Sequence, residues 1–115
     1  MALLVTRFWV AVIMGVLIWV PVLALAMNIP EFTVAIKDHC FDPVELKVPA
    51  DTKVKLIIDN QDASAEEFES FELNREKIVA GHKKIIVFIG PLKTGAYKYF
   101  GDFHKDTAQG IITVK

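Results

Sequence analysis

The chain has 115 residues, of which 53% are hydrophobic, and its formal net charge is −1. This length accommodates one domain, and the charge lacks the basic surplus typical of nucleic-acid-binding proteins. Together with a single cysteine, these values exclude a multi-span membrane protein, a disordered tail and a disulfide-stapled miniprotein.

The first predicted element is an export signal over residues 1–26. All of these residues are hydrophobic except Thr6, Arg7, Gly15 and Pro21. Arg7 supplies a positive charge, a long apolar run follows, and Ala24-Leu25-Ala26 has the small-x-small pattern of a cleavage site. We therefore predict a signal peptide over 1–26 and a mature domain over 27–115. The alternative is an uncleaved anchor helix, since the apolar run approaches the ~20 residues that span a bilayer.

The mature chain consists of short apolar or alternating runs separated by turn residues. These runs predict strands at 31–36, 44–48, 54–58, 68–73, 77–79, 84–89, 96–100 and 111–114, with a polar loop at 60–65. Because no run of ten or more residues has helical periodicity, we predict an all-β sandwich or small barrel. The aromatic residues expected in its core are Phe32, Phe41, Phe68, Phe88, Tyr97 and Tyr99.

Metal-ligating residues occur in three clusters, each at the end of a predicted strand or in a loop. The clusters are Asp38-His39-Cys40, Glu66-Glu67-Phe68-Glu69 and Asp102-Phe103-His104-Lys105-Asp106. Loops at one end of a sandwich bring together residues that are distant in sequence, so the three clusters predict a site at one end. Strand alternation places Glu67 and Glu69 on one face and Glu66 with Phe68 on the other.

Each cluster also has a simpler interpretation. The glutamates can form a solvated strand face, although adjacent like charges favour a nearby cation. His104 alone could be a surface histidine, and Cys40 could be a small core residue. A single cysteine forms no internal disulfide, so an exported Cys40 is expected to be buried, reactive or metal-bound.

The C-terminal stretch resembles the last hairpin of a cupredoxin. The residues that carry this resemblance are Gly95-Ala96-Tyr97-Lys98-Tyr99-Phe100-Gly101-Asp102-Phe103-His104 and the following strand Gly110-Ile111-Ile112-Thr113-Val114. In a blue-copper loop a Cys, a His and a Met bind the metal. In this chain His104 occupies the position of the His ligand and Gly101 that of the Cys ligand. Ala108 or Gln109 lies near the position of the Met ligand. The upstream His is replaced by Glu66 or Glu67. Because this loop contains no Cys thiolate, a type 1 blue-copper centre is excluded.

Longer phrases resemble the cupredoxin-like domains of bacterial iron-uptake systems, of the EfeO and FtrB type. They are Asp38-His39-Cys40-Phe41-Asp42-Pro43, Glu66-Glu67-Phe68-Glu69-Ser70, Leu73-Asn74-Arg75-Glu76-Lys77, Ile89-Gly90-Pro91-Leu92, Phe100-Gly101-Asp102-Phe103-His104 and Asp106-Thr107-Ala108-Gln109-Gly110. The resemblance covers 30–115 and implies a Greek-key cupredoxin-like sandwich in the periplasm. It also implies work beside a periplasmic iron-binding protein and an Ftr-type iron permease.

The same resemblance bears on the site. Cys40 and Glu67 match positions proposed as metal ligands in that family, whereas a second cysteine proposed there falls at Gly101. Because position 101 lacks the cysteine, we expect Asp102 and His104 to supply the ligands from this loop. We predict a mixed carboxylate and imidazole site formed by Glu67, Glu69, Asp102 and His104. Further candidates are His39 and Cys40 at its margin and Glu66 after the polar loop.

The expected cofactor is copper, with iron as substrate or ligand. Carboxylate and imidazole donors suit Cu(II) or Fe(III) better than Cu(I). The resemblance implies a component of ferrous-iron uptake that either oxidises Fe(II), as a copper-dependent ferroxidase, or hands iron to a partner. Two alternatives stay open: a copper or iron carrier without turnover, and a metal-free cupredoxin-fold interaction module.

Overall fold

The computed structural model describes residues 2–3, 11, 13–21 and 28–115, and within these ranges the chain forms nine strands and one short 3-10 helix. The strands are β1 (Glu31–Lys37), β2 (Cys40–Asp42), β3 (Glu45–Val48), β4 (Val54–Asn60), β5 (Glu66–Ser70), β6 (Arg75–Val79), β7 (Lys84–Ile89), β8 (Gly95–Gly101) and β9 (Gln109–Val114). The 3-10 helix, Asp102–His104, lies between β8 and β9. No helix in the described ranges is long and apolar enough to cross a membrane.

The strands form two sheets that share one core. One sheet has the order β2-β1-β4-β7 and the other β3-β9-β8-β5-β6. β1 pairs with β4 and β3 with β9 in parallel, whereas the other pairs are antiparallel. The chain passes between the sheets after β2, β3, β4, β6 and β7, as a Greek-key sandwich requires. The predicted all-β sandwich is therefore confirmed.

Alternating side chains of both sheets form the core. Phe41, Phe68 and Tyr99 meet at its centre, with ring centroids 4.9 Å apart for Phe41 and Tyr99 and 5.2 Å apart for Phe68 and Tyr99. Tyr99 faces Gly110 across the β8–β9 ladder, where a Cβ would lie 2.2 Å from its ring. Gly110, the glycine of the Gly-x-Ile-x-Val strand, therefore leaves the space that the Tyr99 ring occupies.

Most of the predicted aromatic core is correct, with one exception. Phe32 and Tyr97 are partly buried against the core, but Phe88 is 43% exposed. Val87 and Ile89 point inward on β7, so alternation turns Phe88 outward, where Lys53 lies over its ring.

The ends of several strands differ from the prediction. The predicted strand 68–73 is in fact β5, Glu66–Ser70, followed by a turn, and the strand predicted at 77–79 begins at Arg75. Cys40 was expected at the end of the first strand, but it begins the separate strand β2. The predicted cleavage site at 24–26, with residues 1, 4–10, 12, 22–23 and 27, lies outside the described residues.

Asn60 holds the loop that leads into the candidate site. Its side chain is 1% exposed and donates to the carbonyl oxygens of Ser64, Val79 and Ala80. Its Oδ1 accepts the backbone N–H of Asp62. These four hydrogen bonds of a buried side-chain amide satisfy backbone groups beyond the end of β4, and they hold the loop that leads into β5.

Candidate metal centre

A buried carboxylate and an imidazole meet at one end of the sandwich. Glu66, the first residue of β5, is 1% exposed, and its Oε2 lies 2.6 Å from Nδ1 of His104. Its Oε1 accepts the backbone N–H groups of Phe103 at 2.9 Å and Glu67 at 3.0 Å. These contacts join the start of β5 to the 3-10 helix. They also satisfy the buried charge, as a carboxylate inside a protein requires.

A second histidine stacks on the first. The rings of His39 and His104 are 3.6 Å apart between centroids and 15° from parallel. His39 lies in the two-residue turn of the β1–β2 hairpin, where Asp38 and His39 both have positive φ, as a type I′ turn requires. Their backbone N–H groups both donate to the carboxylate of Asp62.

Asp62 fixes this turn electrostatically. Burial would raise the pKa of Asp62, but the backbone N–H bonds from His39 and Asp38, with the nearby imidazoles, outweigh burial and lower it. Nδ1 of His39 lies 3.5 Å from Oδ2 of Asp62. Each histidine of the stack therefore faces its own carboxylate.

An open pocket of about 590 Å³ adjoins the stacked histidines. It is lined by His39, Asp102, Phe103, His104, Lys105, Asp106 and Thr107. The Thr107 hydroxyl donates to the carbonyl oxygen of His39, which ties the last interstrand loop to the first hairpin. Nζ of Lys105 lies 3.1 Å from Oδ1 of Asp102 at the rim.

Three carboxylates form a separate group on the outer face of the five-stranded sheet. Glu67, Glu69 and Glu76 each place an oxygen within 4.8 Å of the others. Glu69 faces Glu76 directly across the β5–β6 ladder. Glu66 and Phe68 point inward from the same strand, at 1% and 0% exposure, so the predicted division of the two faces is confirmed. We refer to Glu67, Glu69 and Glu76 as the carboxylate cluster.

Within the carboxylate cluster, Glu67 is the residue whose pKa is perturbed. It is only 9% exposed by surface area. Its hydrogen bond with Glu76, followed by burial and by repulsion from Glu76, Asp102 and Glu69, raises its pKa to about 7. A proton on Glu67, or a cation bound among the carboxylates, would therefore offset their mutual repulsion.

The seven predicted ligands thus form two groups, with Asp102 between them and Cys40 in neither. Glu67 and Glu69 belong to the carboxylate cluster, whereas His104 is paired with Glu66 and stacked on His39. Asp102 lies between the groups: it lines the pocket and its charge acts on Glu67. Cys40 is exposed, which disfavours the alternative of a small core residue, and its role as a ligand stays a prediction. The single site expected from Glu67, Glu69, Asp102 and His104 is divided in the structure.

Two residues of these groups were not predicted. Glu76 was not among the predicted ligands, because the predicted strands 68–73 and 77–79 left it between strands. Correct boundaries would have set Glu69 opposite Glu76 in the hairpin. Asp62, in the polar loop, carries no motif, and its contact with the hairpin turn is visible only in three dimensions.

Comparison with known proteins gives a consistent fold. A family model for the cupredoxin-like domain matches residues 10–114. An uncharacterized protein of Rickettsia prowazekii (strain Madrid E) is 55% identical over 87 residues, which are 76% of this chain and 70% of that protein.

Two solved structures illustrate the likeness in fold. Auracyanin A, a blue copper protein from Chloroflexus aurantiacus, superimposes with a TM-score of 0.66 at 15% identity, covering 76% of this chain and all of that one. The metal-binding domain of the Cu(I)-exporting P-type ATPase CopA from Streptococcus pneumoniae D39 gives 0.69 at 13% identity, covering 80% and 91%.

Proposed function

Because the chain belongs to the cupredoxin-like family, we propose that it is an exported metal-binding cupredoxin that carries iron on the carboxylate cluster. The observation that supports this most directly is the convergence of three carboxylates within 4.8 Å. The 9% exposure of Glu67 and its pKa of about 7 add to it. Such a group is destabilised by its own charge until a cation or a proton neutralises it.

The donor atoms favour a hard cation. An all-carboxylate cluster suits iron, manganese or calcium, whereas copper in proteins favours imidazole and sulfur ligands. The geometry therefore supports the iron part of the prediction better than the copper part. The negative charge of Asp102 contributes to the raised pKa of Glu67. It would also add to the negative potential that attracts a cation.

Within this proposal the residues have distinct roles. Glu67, Glu69 and Glu76 bind the cation, and the β5–β6 ladder fixes their spacing. Because Glu76 and Glu69 are on the open outer face of the sheet, iron can enter and leave without opening the core. The protein would work in the periplasm, receiving iron and passing it to an iron-binding protein and an Ftr-type permease.

Metal titration with matched variants tests the proposal. We expect anaerobic Fe(II), with Mn(II) as an EPR-visible probe, to bind with one-to-one stoichiometry. Glu69→Gln/Glu76→Gln should weaken binding at least tenfold. The control is Glu31→Gln/Glu45→Gln, which removes the same charge from two exposed sites elsewhere. Equal affinities in the two double variants would refute the carboxylate cluster as the site.

Oxidation and hand-off are separated by oxygen uptake. Fe(II) is added to the wild type and, as the control, to the variant Glu69→Gln/Glu76→Gln in the same buffer. If the protein is a carrier, the two samples consume oxygen at the same rate; if it is a ferroxidase, the wild type consumes more.

Export is tested independently by N-terminal sequencing of the protein recovered from the periplasm. A mature chain that begins at Met27 supports cleavage after Ala26, and an intact N-terminus in the membrane fraction supports the anchor.

A further inference from the structure

Four positions at the end of the sandwich surround one point. They are Glu66, Gly101, His104 and Ala108. The cupredoxin resemblance places copper ligands at Gly101, at His104, at Glu66 or Glu67, and near Ala108 or Gln109; of these alternatives, Glu66 and Ala108 lie against Gly101. A Cβ at Gly101 would lie 2.6 Å from Cδ of Glu66 and 2.6 Å from Cβ of Ala108. Nδ1 of His104 reaches the same carboxylate at 2.6 Å. The carboxylate of Glu66 therefore fills the space between these residues.

This donor set does not fit copper. Gly101 and Ala108 carry no side-chain donor, which leaves one carboxylate and one imidazole. Oε1 of Glu66 already accepts two backbone N–H groups, from Phe103 and Glu67. Metal ions lie about 2.0–2.2 Å from such nitrogen and oxygen ligands, and the 2.6 Å contact between His104 and Glu66 is a direct charge-assisted hydrogen bond.

His39 does not complete the set. Its ring is stacked at 3.6 Å and 15° on His104. The nitrogen lone pairs of an imidazole lie in the plane of its ring, so two nearly parallel rings direct their lone pairs along separate planes. His39 thus cannot aim a nitrogen at the point that His104 faces, and its Nδ1 is directed instead to Asp62.

We infer that the Glu66 carboxylate takes the place of the copper ion in this chain, so that an ion pair with His104 closes the end of the sandwich without metal. Gly101 is required for this arrangement because any side chain there would collide with Glu66. The inference is independent of the carboxylate cluster: copper binding at His104 would overturn it and leave iron binding untouched.

Copper EPR on the full chain tests the inference. One equivalent of Cu(II) is added to the wild type, to His104→Gln and to His82→Gln, in which an exposed turn histidine is replaced. We expect the wild type and His104→Gln to give the same spectrum. Nitrogen coupling that is lost in His104→Gln and kept in His82→Gln would overturn the inference.

A gain-of-site variant tests the position of the missing ligands. Glu66→His with Gly101→Cys removes the carboxylate and supplies an imidazole and a thiolate around the same point. We expect this double variant to acquire an intense thiolate-to-copper absorption in the visible on addition of Cu(II). A folded double variant that binds Cu(II) without this band would contradict the placement. If the double variant does not fold, the EPR comparison still decides the question.

Discussion

Removal of the Glu66 carboxylate should destabilise the domain more than loss of any surface charge. In Glu66→Ala the backbone N–H groups of Phe103 and Glu67 lose their acceptor, and His104 loses its ion-pair partner. Each unpaired buried donor costs about 1–3 kcal/mol, with the lower end appropriate for the half-buried Phe103 N–H. Loss of the charge-assisted bond to His104, whose side chain is 28% exposed, brings the expected total to about 4 kcal/mol.

The conservative variant keeps part of the hydrogen bonding. Glu66→Gln retains one carbonyl oxygen for the two backbone N–H groups but places an amide NH2 opposite Nδ1 of His104 in place of the carboxylate oxygen, so we expect about 1.5–3 kcal/mol. For a domain of this size, 4 kcal/mol corresponds to a fall in Tm of roughly 15–30 °C. The expected order of stability is wild type, then Glu66→Gln, then Glu66→Ala.

Urea denaturation followed by circular dichroism measures these differences. The control is Glu31→Ala, whose carboxylate is 55% exposed and pairs with Lys55 at 3.0 Å, and which should change stability by less than about 0.5 kcal/mol. If Glu66→Ala lost less than about 1 kcal/mol, or if it matched the control, the buried ion pair would not hold the end of the sandwich.

Three further predictions concern other parts of the fold. The pKa of Glu67 is raised from 4.5 to about 7 in the folded state, so the folded protein binds more protons in this range. Stability without metal should therefore fall as pH rises from about 4.5 to 7, and an unchanged slope in Glu67→Gln by thermal denaturation would contradict this. Asn60→Leu leaves buried carbonyl oxygens and the Asp62 N–H without the amide, and should cost about 2–4 kcal/mol in urea denaturation; a loss below about 1 kcal/mol would show that the loop holds without it. Gly110→Ala brings a Cβ within 2.2 Å of the Tyr99 ring and should cost about 1–3 kcal/mol by the same measurement, and an unchanged stability would contradict this close approach.

The fold was largely predictable because the sequence alternates. In β1 and β3 the large apolar residues occur at every second position, and alternation alone assigns each face. The same rule separated Glu66 from Glu67 and Glu69. It failed for Phe88, which lies in an apolar run where periodicity gives no sign of which face is buried.

The candidate site was less predictable because it depends on strand ends. An error of two or three residues in β5 and β6 concealed the pairing of Glu69 with Glu76. The short strand β2 separated Cys40 from the first strand and left its thiol exposed. Boundaries are set by turn geometry and by long-range contacts such as those of Asn60, which local patterns do not contain.

The sequence by itself determined the class of fold and the division of Glu66 from Glu67 and Glu69, which follow from the period of two along a strand. The resemblance to cupredoxins showed in addition that glycine, at position 101, stands where a blue-copper loop has its cysteine. Only the tertiary structure decided that the predicted ligands form two groups rather than one. The reason is that long-range packing, which no local pattern contains, places His104 beside Glu66 on the inner face of the sheet and away from Glu67 on the outer face. Glu66 is held inside by His104, and Glu67 is left outside among carboxylates.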